Sequence, residues 1–61
     1  MLYQITTPKY KFIIGCKAHA LDILIDLEGM FDEVFYQEVE ADTRTQSEKD
    51  SACRFLEWLY A

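Results

Sequence analysis

Cys16 and His19 stand in a C-x-x-H spacing, in which a thiolate and an imidazole can share one metal ion. A closed zinc site takes four ligands, however, and Cys53 is the only further soft donor in the chain. The spacing therefore predicts two ordinary thiols and an imidazole, with no metal centre. As a nucleophilic pair, Cys16 and His19 would need a lowered thiol pKa, a third group to orient the imidazole, and an oxyanion hole. His19 is the only histidine, and the dense negative charge that follows it in the chain raises a thiol pKa. The two glycines, Gly15 and Gly29, form no phosphate-cradling loop. Carboxylates are plentiful, but glycosidase-type chemistry also needs a substrate cleft that a chain of this size rarely builds. The sequence predicts no cofactor and no enzymatic activity.

The carboxylates are distinguished by their distribution. Eight of the eleven acidic residues lie between Asp22 and Asp42, and no Lys or Arg interrupts them. Asp22, Asp26, Glu28, Asp32, Glu33, Glu38, Glu40 and Asp42 make the middle third strongly negative, with Lys9, Lys11 and Lys17 before it. The net charge of −5 opposes nucleic acid and anionic membrane and favours cationic protein surfaces. Calcium is not the expected counterion, because no D-x-D-x-D-G loop with a terminal Glu is present. On a helix, Asp22 and Asp26 share one face at i,i+4. On a strand, Glu38 and Glu40 point the same way about 6.6–6.8 Å apart, close to two phosphate steps of a nucleic-acid strand.

Sixty-one residues allow one small domain, which buries only about 60% of the surface exposed by its unfolded chain. Apolar residues make up 51%, too many for a disordered tail, so a folded domain is expected. Nine aromatic residues are more than so small an interior can enclose, which predicts exposed rings or a second copy covering them. The N-terminal residues do not read as a signal peptide, and no apolar window reaches the roughly 18–20 residues of a membrane span. Reduced thiols in a cytoplasmic protein are the corresponding expectation.

The positioning elements follow from periodicity. Leu2–Thr7 alternates Tyr3 and Ile5 against Gln4 and Thr6, and Tyr10–Ile14 alternates Tyr10, Phe12 and Ile14 against Lys11 and Ile13. With Pro8 and Lys9 between them, these runs predict an antiparallel hairpin. Lys17–Glu28 carries both periods. Ala20, Ile23, Leu24 and Leu27 have helical spacing, whereas Leu21, Ile23, Ile25 and Leu27 alternate as in a strand. Its length and leading alanines favour a helix, with Gly29 as the residue just past its end. Val34–Glu40 reads as the third strand. Ser47 and Asp50 resemble a weak capping box before a C-terminal helix whose stripe is Ala52, Phe55, Leu56 and Leu59. The expected fold is α+β in the order ββαβα, a single domain over residues 1–61.

These features predict a protein-binding module that occupies a basic surface on a partner, of the kind that binds nucleic acid, and so acts as an inhibitor or regulator. In size, charge and lack of catalytic motifs it is similar to the small anti-defence proteins of phages. The expected contact residues are Asp22, Asp26, Asp32, Glu33, Glu38, Glu40 and Asp42, with Trp58 and Tyr60 as aromatic anchors. The alternative is a homodimeric assembly protein whose acids only confer solubility. A small Cys/His metal protein ranks below both, and direct nucleic-acid or membrane binding is not expected.

Overall fold

A computed structural model describes all residues, Met1–Ala61. The fold is α+β. Strands β1 (Leu2–Thr6) and β2 (Lys11–Ile14) are followed by helix α1 (Lys17–Glu28), strand β3 (Phe35–Val39) and helix α2 (Gln46–Leu59). Both β2 and β3 pair antiparallel with β1, so the sheet order is β2-β1-β3. At the hairpin turn the Thr7 hydroxyl, largely buried, accepts from the backbone N–H groups of Lys9 and Tyr10 at 3.3 and 2.9 Å. The hydroxyl thus supplies the acceptor for two turn amides that follow Pro8.

The register sorts the sheet residues cleanly. Tyr3, Ile5, Phe12, Ile14, Tyr36 and Glu38 share one face. Ile5, Phe12 and Ile14 join Ala20, Ile23 and Leu27 of α1 and Ala52 of α2 in the core. Phe12, Ile5 and Leu27 are its largest fully buried side chains, each contributing roughly 1.5–3 kcal/mol. Tyr10, Phe12, Phe31 and Phe55 close one end as a ring cluster, with centroids 4.7 Å apart between Tyr10 and Phe55. Tyr3 stacks on Tyr36 across β1 and β3 at 6.2 Å and 15°. The Tyr36 hydroxyl has no hydrogen-bond partner.

The opposite sheet face holds Leu2, Gln4, Thr6, Lys11, Ile13, Phe35, Gln37 and Val39. None of its apolar members joins the core, so the domain has two layers and one open side. This face carries no carboxylate.

Three local expectations are corrected. The helix cap is Thr45, not Ser47. The Thr45 hydroxyl accepts from the Glu48 N–H at 3.1 Å, and Glu48 Oε1 accepts from the Thr45 N–H at 3.0 Å. Glu closes a reciprocal box that the shorter Asp50 side chain serves poorly, so Ser47 falls inside the helix. Gly29 caps α1 in right-handed geometry, φ −78°, and does not adopt the left-handed conformation that favours glycine. The chain instead continues its turn, with the N–H groups of Met30 and Phe31 both donating to the Leu27 carbonyl. The third strand covers Phe35–Val39, leaving Val34 and Glu40 outside it.

Thr45→Ala is expected to cost about 1 kcal/mol by chemical denaturation, because the Glu48 N–H in the first turn of α2 loses its acceptor. Ser47→Ala, at an exposed position within the helix, should change stability by less than about half of that.

Candidate functional site

Only two ion pairs form within this protein, and both lie at one corner. Lys11 Nζ meets Glu48 Oε2 at 3.1 Å, joining the start of β2 to the first turn of α2. Arg44 clamps Asp42 with two parallel bonds, Nε to Oδ1 at 3.0 Å and Nη2 to Oδ2 at 2.9 Å. The Arg44 backbone N–H donates to the same Oδ1, and Arg44 Nη1 reaches the Lys11 carbonyl at 2.9 Å. The loop before α2 is thereby fastened to β2. The Arg44 side chain and backbone N–H together pull the Asp42 carboxyl down to about 2. Glu48 is also lowered, first by the Thr45 N–H and then by Lys11.

Asp42, half-buried and clamped, therefore helps to hold the scaffold, unlike the other acids among the expected contact residues. A carboxylate already held by a bidentate arginine and a backbone amide offers little to a partner. Of the eight acids in the central run, the other seven have no Lys or Arg within ion-pair distance. Asp22, Asp26 and Glu28 are exposed on α1, Asp32 and Glu33 in the segment after it, and Glu38 and Glu40 in and beyond β3.

Asp26 accepts a bond of 2.7 Å from the Tyr60 hydroxyl, tying the end of α2 to α1. Partial burial and that bond push the Tyr60 phenol up to about 12, and the charges of Asp26 and Asp22 add to the shift. Tyr60 thus remains a donor at any ordinary pH. It is still 52% exposed, while Trp58 is 68% exposed and touches Phe55 at a ring-centroid separation of 5.7 Å.

The phosphate-like spacing anticipated for Glu38 and Glu40 is not built. The strand ends at Val39 and Glu40 lies in a bend, so the two side chains do not alternate along one extended run. Large apolar side chains are exposed as well. Leu21 and Ile25 are exposed beside Asp22 and Asp26 on α1, and Phe35 is exposed on β3. The strand-like alternation turns Leu21 and Ile25 inward, whereas the helical stripe of Ala20, Ile23, Leu24 and Leu27 leaves them off the buried face, where the helix exposes them.

Cys16 and Cys53 are free thiols, both exposed, and His19 is exposed on α1. No three side chains among His, Cys, Asp and Glu come close enough together to hold a metal ion. No helix is long and apolar enough to cross a membrane. Comparison with protein-family models, curated proteins and solved structures finds no match to this chain.

The folded-state pKa of Asp42 lies below its ordinary value of 3.8, so its clamp stabilises fully above that pH and is lost as pH falls toward about 2. Asp42→Asn should lower the thermal midpoint at neutral pH and flatten its decline through this acid window. Thermal unfolding at a series of pH values measures both, with Glu48 supplying the residual slope.

Proposed function

We propose that this chain is a non-enzymatic protein-binding module whose α1–β3 carboxylates occupy a basic, nucleic-acid-binding surface of a partner protein, inhibiting or regulating it. One observation carries this reading: the paired cations gather at the β2–α2 corner, while seven consecutive acids of the sequence remain exposed and unpaired. A surface of that sign in so small a molecule accelerates encounter with cationic proteins and repels phosphate backbones. Leu21 and Ile25, exposed next to Asp22 and Asp26 on α1, supply apolar area that a purely solubilising face would not need.

Self-association is the second reading. It is favoured by the open sheet face, where two copies of an acidic protein could meet without carboxylates between them.

Displacement from DNA tests the first reading. Nucleic-acid-binding proteins retained on immobilised DNA at low salt are challenged with the purified chain. The chain is expected to release a small, defined subset, with an effect that falls steeply as salt rises. A variant carrying Asp22→Asn, Asp26→Asn, Glu38→Gln and Glu40→Gln should lose at least about tenfold in potency, equivalent to roughly 1.4 kcal/mol. Asp42→Asn should displace as well as the parent. Release that is indifferent to salt and to all four substitutions would contradict the reading.

A further inference from the structure

The sheet has two edges, and they are treated differently. Along β2, helix α2 packs against the strand and Arg44 Nη1 donates to the Lys11 carbonyl. Along β3 there is no such cover: the strand pairs only with β1, and neither helix packs along it. Every second residue of Phe35–Val39 therefore turns its N–H and C=O outward. Protein edges are usually blunted by lysine, proline, a bulge or a covering segment, because an open row of amides templates another strand. β3 has no lysine, proline or bulge, and its one charge is Glu38, an acid on the helix-bearing face that guards the edge against like charge but not against a cationic strand. Its sequence is FYQEV, its five pairs with β1 run in unbroken register, and Phe35 is 64% exposed.

We infer that β3 is a docking edge to which an extended, lysine- or arginine-bearing segment of the partner adds as a fourth strand. This rests on the proposed basic partner and specifies how that partner is held: main-chain bonds supply the attachment, and charge selects the occupant. Asp32, Glu33, Glu38 and Glu40 stand exposed within or beside the strand, and no Lys or Arg lies between Ala18 and Thr43.

The same charges reject a second copy. In a two-fold antiparallel pairing of β3 with itself about Gln37, the two Glu38 side chains become diagonal neighbours about 7–8 Å apart. Moving the centre to Glu38 sets the two Glu38 residues directly opposite, where like charges destabilise a sheet. A cationic strand meets the same positions with pairs of opposite charge.

The test uses the intact, isotope-labelled chain and three blocked octapeptides: alternating Lys-Val, charge-matched alternating Lys-Pro, and alternating Glu-Val. The Lys-Val peptide is expected to bind at least about tenfold more tightly than Lys-Pro, which cannot donate from its proline positions. It should also slow amide exchange at alternate residues of β3, while Glu-Val does not bind. Phe35→Lys combined with Gln37→Lys should abolish Lys-Val binding. Both side chains lie on the open face away from the core, so the fold is retained.

Equal affinity for Lys-Val and Lys-Pro would overturn strand addition and leave the acidic-surface reading standing. Absence of binding by either would count against both. Equal binding of Glu-Val would overturn charge selection. A dimer in sedimentation that is lost with the double lysine variant would overturn the cationic occupant in favour of a second copy.

Discussion

Arg44 holds both carboxylate oxygens of Asp42 and, with its remaining terminal nitrogen, the carbonyl of Lys11. Lys11 in turn meets Glu48, whose other oxygen closes the N-terminal box of α2. Two cations are thus committed to one corner, where they fasten the polar loop, shield the β2 edge and start the last helix. The remaining cations, Lys9, Lys17, Lys49 and Arg54, make no ion pair with any carboxylate. With six cations against eleven acids, this allocation leaves the seven acids from Asp22 to Glu40 without an ion pair.

The two-layer arrangement adds a second consequence. All buried apolar residues of the sheet lie on the helix-bearing face, so the other face has no counterpart layer. A core of seven buried residues cannot enclose nine aromatics. Phe12 is fully buried, Tyr10, Phe31 and Phe55 pack around it, and Phe35, Trp58 and Tyr60 remain exposed. The molecule therefore presents a carboxylate-free sheet face, on which Phe35 is exposed, while its exposed acids lie on α1, on the segment after it and in and beyond β3.

Much of this was legible in the residues, for physical reasons. The hairpin announced itself through strict alternation on both sides of Pro8, and the register places Ile5 opposite Phe12 as that alternation requires. The α2 stripe was equally plain, since Ala52, Phe55, Leu56 and Leu59 recur at helical spacing. Lys17–Glu28 carried both periods because Leu21 and Ile25, which complete the strand-like pattern, are exposed on the helix. Capping was misread because Ser47 and Thr45 are both acceptable caps locally; the choice depends on Glu48 reaching back, which only backbone geometry reveals. Asp42 reads with the free acids because charge counting looks for cations inside the acidic run, whereas Arg44, two residues beyond it, folds back to clamp the carboxylate. Strand order was not legible either. Which of β2 and β3 becomes the protected edge follows from where α2 lands, a tertiary outcome with no local signature.

The central claim is electrostatic, and it can be read residue by residue in the free protein. Amide-proton relaxation by a cationic and an anionic paramagnetic cosolute, compared at each position, reports the local surface potential. The account predicts strong preference for the cationic probe over Asp22–Asp26 and Asp32–Glu40, and near balance around Lys11, Asp42, Arg44 and Glu48. A uniform ratio over the whole surface, or a maximum at the Arg44 corner, would contradict it.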